Sequence, residues 1–477
     1  MAKTAETLDF DKLREECGVF AIWGAEDAAP CTALGLHALQ HRGTEGAGIV
    51  SNQKGKFHFH KAMGKVGDNF NSAEVMEKLA GTAAIGHNRY STAGEKGVIN
   101  IQPFSVELEF GAFALAHNGN LTNAQDLRKT LINGGCIFQT TMDTEVVMHL
   151  TAHSRAMDIG DKIIDALSQV EGAYSIVAMD ATNIYGVRDP YGIRPLVIGQ
   201  LGKAYILTSE TCALDIIGAT YVRDVEAGEI VTINSKGITS RKFPRLPSKR
   251  FCVFEYVYFA RPDSTIDGRH VYSIRKAIGR ELALESHQAA DIVVPVPDSG
   301  IPAAIGYAAQ SGLPFEMGII RSHYIGRTFI EPTDQVRHLG VKLKHNANTA
   351  IIKGKRIILI DDSIVRGTTS KKIVQMLKEA GAAEVHMRIA SPPTTHSCFY
   401  GVDTPERSKL MAANHNVEEM RNMIGADSLA FISIDGLYRA SGEAKGRNNA
   451  KPQFCDACFT GEYPVRIFDK DIEAKVA

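Results

Sequence analysis

The sequence predicts an α/β protein built from two units. Three observations carry that reading. Up to about residue 243, short β-rich runs alternate with two helical stretches. Residues 240–250 (SRKFPRLPSKR) are basic, contain two prolines and break all periodicity, as a crossover between domains does. Beyond them strands and helices alternate regularly. A chain of 477 residues also exceeds one ordinary domain, so two or three are expected.

In the first unit, residues 17–23 (CGVFAIW) and 48–51 read as buried strands, with shorter ones at 83–85, 112–116, 175–178 and 204–208. Residues 33–39 and 143–153 read as helices, so sheets with helices on their faces are expected. In the second unit the order is strand 291–296, helix 302–310, strand 356–360, helix 370–380 and strand 384–389. Strands separated by helices of that length imply a parallel sheet with right-handed crossovers. Ligands of such sheets sit at the carboxyl ends of the strands.

Composition excludes several functions. A formal net charge of -1 gives no field for nucleic acid or an acidic membrane. The start, MAKTAETLDFDKLREE, is polar and acidic and lacks the apolar core of a secretory signal. No apolar run reaches the roughly 18 residues that a membrane span needs. Eight cysteines are too sparse for a disulfide scaffold, which points to a reducing, cytoplasmic setting. No internal repeat or low-complexity segment occurs.

The sharpest local signal is 356–369, RIILIDDSIVRGTT. A largely apolar strand ends in Asp361 and Asp362, and two adjacent carboxylates there should face a cation, hydroxyl groups or solvent. The loop that follows has Gly367 for close approach and the hydroxyls of Ser363, Thr368 and Thr369, with a helix expected from about Ser370. That combination makes an anion site, although a solvated strand end would read similarly. Residues 291–300 (DIVVPVPDSG) repeat the theme, and 324–346 form a basic stretch with Arg327, Arg337, Lys342, Lys344 and His345. These segments closely resemble type I phosphoribosyltransferases, which use 5-phosphoribosyl-1-pyrophosphate (PRPP). The resemblance implies Asp361 and Asp362 on the ribose hydroxyls and in the shell of one Mg²⁺ per subunit, with Ser299 a further metal neighbour. It also implies Ser363, Arg366, Gly367, Thr368 and Thr369 around the 5′-phosphate. Arg327 and Lys342 would come from a loop that folds over PRPP and shuts out water.

In the first unit, Cys17 opens an apolar strand, where a lone cysteine is ordinarily a small buried hydrophobe. Four clusters accompany it: 40–49 (QHRGTEGAGI), 86–92 (GHNRYST), 116–121 (AHNGNL) and 142–145 (MDTE). Together they closely resemble class II glutamine amidotransferases, of the N-terminal-nucleophile hydrolase fold, an αββα sandwich. The expected αββα sandwich would thus precede the parallel-sheet phosphoribosyltransferase domain. The implied nucleophile is Cys17 after removal of residues 1–16, because a thiol of pKa about 8.5 needs a base and a free α-amine near 7.7–8.0 can serve. By the same resemblance Arg89 holds the glutamine α-carboxylate, Asp143 its α-ammonium, and Asn118 with the Gly119 N–H forms the oxyanion hole. Thr44 departs from the family's more usual Gln, a matter of local packing.

Cys455 and Cys458 form a C-x-x-C, which alone is half of a zinc site, a redox pair or coincidence. The surroundings of Cys252 (FCVFEY) and Cys398 (SCFYG) resemble the cluster-bearing branch of the amidophosphoribosyltransferases. That resemblance implies one [4Fe–4S] cluster per subunit on Cys252, Cys398, Cys455 and Cys458, in a structural role, with Cys₄ zinc the chemical alternative. Cys31, Cys136 and Cys212 read as core residues. The implied organisation is a propeptide at 1–16, a glutaminase domain at 17–243 and a transferase domain at 244–477. The implied reaction uses glutamine and PRPP, with ammonia crossing an apolar passage that forms when the basic loop closes. Purine nucleotides as feedback inhibitors and a homodimer or homotetramer follow from the same likeness. A glucosamine-6-phosphate synthase-like amidotransferase and a PRPP-sensing regulator without turnover are the alternatives.

Overall fold

The computed structural model describes residues 14–15, 17–90, 97–244, 246–322 and 345–468. Arg327, Arg337, Lys342 and Lys344 lie outside the described residues, as does nearly all of the segment expected to be a leader.

The first unit is two stacked antiparallel sheets. One has seven strands in the order Thr220–Asp224, Val197–Leu201, Ala204–Thr208, Gly18–Trp23, Ala83–Arg89, Gly46–Gln53, Lys56–Met63. The other has six, in the order Gly237–Lys242, Glu229–Asn234, Ile184–Arg188, Gly172–Met179, Gly111–Leu121, Phe104–Leu108. Alternation along each strand decides the layers. Val19, Ala21, Ile85, Ala114, Ala116 and Val177 meet between the sheets. Phe20 and Ile22 point the other way, against the helix Ala28–Ala38. Phe113, Leu115 and Ile176 face the helices Thr144–His153 and Ile159–Leu167. Strands buried on both faces read as near-continuous apolar runs, which is why they are visible in the sequence. The result is the expected αββα sandwich.

The second unit carries a four-stranded parallel sheet ordered Ile292–Pro295, Arg356–Asp361, Glu384–Ile389, Ser428–Phe431. The helices Val271–Glu285 and Ile301–Ser311 pack on one face, and Thr368–Glu379 and Val417–Ile424 on the other. From Ile292–Pro295 the chain first steps outward, where Phe315 makes a parallel bridge to Val293, and then returns to the opposite side as Arg356–Asp361. Strand order therefore reverses between these two strands, and the crevice beyond their carboxyl ends is the natural ligand position.

Several expectations need correcting. The strand at 112–116 extends to Gly111–Leu121, so Asn118 and Gly119 lie on it and not beyond its end. Helices Ala124–Asn133 and Ile159–Leu167 are additional to those expected, although Ile163, Ala166 and Leu167 give the second a clear apolar face. The helix expected from Ser370 starts at Thr368, two residues earlier. Cys212 is a core residue, but Cys31 and Cys136 are only half-buried, at the margins of their clusters.

The two units are joined by buried charges. Glu255, on the turn Glu255–Phe259, accepts from Arg42 Nη2 at 2.9 Å and Arg194 Nη1 at 3.0 Å. Arg42 also bonds Glu210, which accepts from the Ser264 hydroxyl at 2.7 Å and the Arg261 N–H at 2.8 Å. All four charged side chains are fully buried. Burial opposes ionisation of Glu210, but Arg42 and His41 outweigh it and hold the carboxyl well below its ordinary range. Glu255→Ala leaves two guanidiniums facing an apolar gap, and a loss of about 3–5 kcal/mol is expected in urea unfolding.

Candidate active sites

The space between the stacked sheets is apolar along most of its length and turns polar at one end. Arg89 and His87 continue the inward-facing series Ala83, Ile85 of one sheet, and Asn118 continues Ala114, Ala116 of the other. Cys17 precedes the strand Gly18–Trp23, whose Gly18 pairs with Asn88, so the thiol lies beside Arg89. Cys17 is 5% exposed, with a φ of 64, a left-handed conformation unusual for a residue with a Cβ. The charge of the Cys17 and Glu45 side chains acts on Arg89, although burial is the larger influence and lowers its pKa. The Glu45 N–H donates to the Arg89 carbonyl at 3.1 Å, tying the QHRGTE loop to the arginine's backbone.

The oxyanion strand is shaped by where its neighbour stops. The ladder with Phe104–Leu108 ends at the pair Phe104↔Leu115. On the other side, Tyr174 opposite Gly119 directs both backbone groups to Asp189, at 3.4 and 2.9 Å. Gly119 and Tyr174 are thus a non-hydrogen-bonded pair, and the Gly119 N–H faces the vacated edge. Gly119 has φ 138, and a Cβ there would lie 2.0 Å from the Ala173 carbonyl oxygen, so only glycine fits. Asn118 is fully buried, and among the described residues neither its amide nitrogen nor its oxygen has a hydrogen-bond partner. A buried carboxamide with both atoms unsatisfied is costly unless a ligand completes it. Asp143 begins the helix Thr144–His153 and accepts from the Leu121 N–H at 3.0 Å and the Thr144 N–H at 2.8 Å.

At the switch point of the parallel sheet, Asp361, Asp362 and Ser363 are buried. Ser363 donates to Asp362 at 2.6 Å, and the Asp362 N–H to Asp361 at 2.9 Å. Arg275, missed by sequence reasoning, stands behind them. Its guanidinium donates to the carbonyls of Tyr256 and Ala260 at 2.9 and 2.7 Å, and burial pulls its pKa down to about 10 although Asp362 acts to raise it. Gly367, φ 79, is the N-cap of Thr368–Glu379, so Thr368 and Thr369 form its first turn. Arg366 is half-buried and Ser299 sits just before the helix Ile301–Ser311. The antiparallel pair Ile319–Arg321 with His345–Ala347 brings Arg321 onto Asp298, and His345 within 3.3 Å of the Pro297 carbonyl.

The four predicted cluster cysteines lie near one another, close to the seam with the first unit, where the Cys252 N–H donates to the Ile193 carbonyl at 3.2 Å. Phe251–Cys252 pairs in parallel with Phe454–Cys455, placing Cys252 beside Cys455. The Cys458 carbonyl accepts from the N–H groups of Thr395 and His396 at 3.0 and 3.1 Å, close in sequence to Cys398. Burial pushes the Cys252 thiol up to about 12 and those of Cys455 and Cys458 well above the ordinary thiol range, with the neighbouring thiols adding to the rise. All are free. Four such thiols suit a soft or iron–sulfur centre in number and kind. Among the described residues, no three His, Cys, Asp or Glu side chains stand close enough to form a ready metal-ligand set.

His87 and His117 stand within the amidotransferase-like motifs GHNRYST and AHNGNL, and the sequence alone points to no role for either. The His87 Nε2 lies 3.1 Å from the His117 carbonyl, which can only accept, so the ring carries its proton on Nε2. Its Nδ1 is buried without a partner among the described residues. Burial above all pushes its pKa down to about 3, opposed by the bond to His117 and assisted by the charges of His117, Arg89 and Lys61. Between that value and the ordinary 6.5 the unfolded chain binds a proton that the folded chain refuses. Stability from this residue is therefore constant above about pH 6.5 and falls as pH drops toward 3. Urea unfolding at pH 7 and pH 5 should show wild type losing about 2 kcal/mol more than His87→Gln.

Comparison with known proteins completes the picture. A glutamine amidotransferase domain family model matches residues 87–215 and a phosphoribosyl transferase domain model residues 271–391. The amidophosphoribosyltransferase of Rhizobium etli is 57% identical over 477 residues, 99% of this chain and 96% of that protein. That of Bacillus subtilis is 50% identical over 461 residues, 96% of each. The solved glutamine PRPP amidotransferase of B. subtilis, complexed with ADP and GMP, matches with a TM-score of 0.90 at 49% identity, covering 95% of this chain and 98% of that one. With a polar end to its αββα sandwich and an acidic pair at its parallel-sheet switch point, the chain belongs to the amidophosphoribosyltransferase family.

Proposed function

We propose that the chain hydrolyses glutamine at Cys17 and passes the ammonia to PRPP, giving 5-phosphoribosylamine, glutamate and pyrophosphate, the committed step of purine synthesis. The observation that carries this is Asn118, a buried carboxamide whose two polar atoms await a ligand beside the Cys17–Arg89 corner. Cys17 attacks the glutamine amide, its own α-amine taking the thiol proton once residues 1–16 are removed. Asn118 and the Gly119 N–H stabilise the oxyanion, Arg89 grips the α-carboxylate, and Asp143 keeps lone pairs for the α-ammonium.

The transferase chemistry belongs to the second unit. Asp361 and Asp362 would hold the ribose hydroxyls and, with Ser299, one Mg²⁺, for which an all-oxygen donor set is suited. Mg²⁺ would neutralise the pyrophosphate as it departs. Ser363, Arg366, Gly367, Thr368 and Thr369 would cradle the 5′-phosphate at the helix N-terminus, with Arg327 and Lys342 contributing from outside the described residues. Cys252, Cys398, Cys455 and Cys458 would hold a [4Fe–4S] cluster that ties the C-terminal segment to the core. We read the domains as 17–243 and 244–477 behind a removable 1–16. Binding of purine nucleotides is in keeping with the ADP and GMP of the B. subtilis structure, and a cytoplasmic homodimer or homotetramer is the assembly proposed. A glucosamine-6-phosphate synthase-like reading is disfavoured by the transferase domain match, and a non-catalytic PRPP sensor by the glutaminase half.

Cys17→Ala should abolish glutamine use while leaving PRPP amination by added ammonia intact. Asn118→Ala should lower the glutaminase kcat on the order of 10²–10³-fold. Glutamine-dependent turnover undiminished in either variant defeats the assignment. Mass spectrometry of the active protein should find Cys17 as the first residue, and analysis of the same sample should find iron and sulfide bound. An active chain that retains residues 1–16, or holds zinc in place of iron, refutes the corresponding part.

A further inference from the structure

The two halves of the glutamine site stand on different sheets. Arg89 ends a strand of the seven-stranded sheet, and Asn118 and Gly119 lie on a strand of the six-stranded one. Stacked sheets held by apolar contacts alone have no directional bond to set their spacing, and the packing between these two is largely Val, Ala, Ile, Leu and Met. Farther along, Asn52 Nδ2 donates across to the Asp180 and Ala181 carbonyls at 3.2 and 3.0 Å, and at the polar end, among the described residues, a hydrogen bond joins the Arg89 strand to the Asn118 strand. His87, two residues before Arg89, donates from Nε2 to the carbonyl of His117, the residue before Asn118, at 3.1 Å. The companion N–H of His117 is held by Gln102 Oε1 at 2.8 Å. Both His117 peptide groups, released where Phe104–Leu108 stops, are therefore taken by side chains, one of them from the opposite sheet.

We propose that His87 is a positioning residue for glutamine hydrolysis, its bond to the His117 carbonyl fixing the distance between the Arg89 grip and the Asn118–Gly119 oxyanion donors. The proposal rests on the roles given above to those three residues. His87 touches neither substrate nor thiol in this role. It stays neutral at working pH, so the bond acts as a fixed spacer and not as a titrating switch. Burial disfavours a second proton, and so do the charges of Arg89 and Lys61 on its own sheet and the proximity of His117 on the other. Misplacement of a reacting group by about 1 Å can cost on the order of 10²-fold in rate.

The test is steady-state kinetics of the mature enzyme with glutamine, alongside PRPP amination by ammonia. His87→Leu, which cannot donate, should lower the glutaminase kcat by about 10- to 100-fold, with KM for glutamine changed less than about 3-fold. Ammonia-dependent amination should stay at wild-type level. His87→Gln, whose Nε2 can reach the same carbonyl, should recover kcat to within about 3-fold of wild type. A wild-type kcat in His87→Leu overturns the proposal, as does a glutamine variant no better than the leucine one. Should His87→Leu fail to fold, His87→Asn, polar but too short to reach His117, decides in the same assay, and a wild-type kcat in it is equally fatal. Asn118→Ala separates the two levels. If it retains full kcat the oxyanion assignment itself fails, whereas loss there with an unaffected His87→Leu removes only the spacer.

Discussion

Glu255 sits between Arg42 and Arg194 with no exposure to solvent, and both sides of the glutamine site are tied to that contact. An ion pair taken fully out of water stabilises only when each charge is hydrogen-bonded, and here each is. The carboxylate belongs to the second unit and both guanidiniums to the first. Arg42 stands at the head of the QHRGTE loop, whose Glu45 N–H holds the Arg89 carbonyl. Arg194 donates to the Tyr400 carbonyl at 2.9 Å, and the next residue, Gly401, packs so tightly on Gly119 that a Cβ would lie 2.9 Å from its Cα. One buried carboxylate thus anchors two arginines, one leading to the Arg89 side of the glutamine site and the other to the oxyanion side. Further bonds reinforce the seam, including Asn120 Nδ2 to the Phe399 carbonyl at 2.9 Å and Thr122 Oγ1 to the Arg466 carbonyl at 2.7 Å.

The sandwich pays for its site in unsatisfied polarity. Small residues such as Ala21, Ala83, Ala114 and Ala116 let the sheets approach closely along most of the interior. Toward Cys17 the same inward positions hold histidine, arginine and asparagine. Leucine or valine there would bury more apolar surface and leave no orphaned amide, so stability alone does not select these residues. A set of polar groups that is worse for the empty protein and complete with a ligand is the signature of a binding site.

How much of this was legible in the sequence follows from the range of the contacts involved. The doubly buried strands were readable because alternate residues serve two cores and both are apolar. The switch-point strands were readable because Asp361 and Asp362 interrupt an apolar run abruptly. Gly119 and Asn118 could be named from a short string, yet that string looks like a turn, and only pairing with residues 172–179 makes it a strand. Arg275, Glu255, Arg194 and Gln102 were invisible for a common reason. Each acts on a partner placed by tertiary structure, and nothing in its neighbours' identities marks a helix arginine or a strand-like FEYVYF as part of a charge network. His87 was quoted in a motif, but its partner is a backbone carbonyl, which no sequence displays.

Both chemistries arise where hydrogen-bonded ladders stop. In the sandwich, the end of Phe104–Leu108 frees the edge of its neighbour, and side chains claim the His117 peptide groups while the Gly119 N–H keeps its outward direction. In the parallel sheet, the ends of Ile292–Pro295 and Arg356–Asp361 turn into loops whose backbone amides have no strand to pair with. Sheets satisfy their peptide groups internally and so offer little to a ligand along their length. At a ladder's end those same groups become directional donors held by a rigid scaffold, which is what an oxyanion or a phosphate requires. Glycine follows at Gly119 and Gly367 because a ligand served by backbone must come close to it, and at both positions a Cβ would strike the protein itself before it met the ligand.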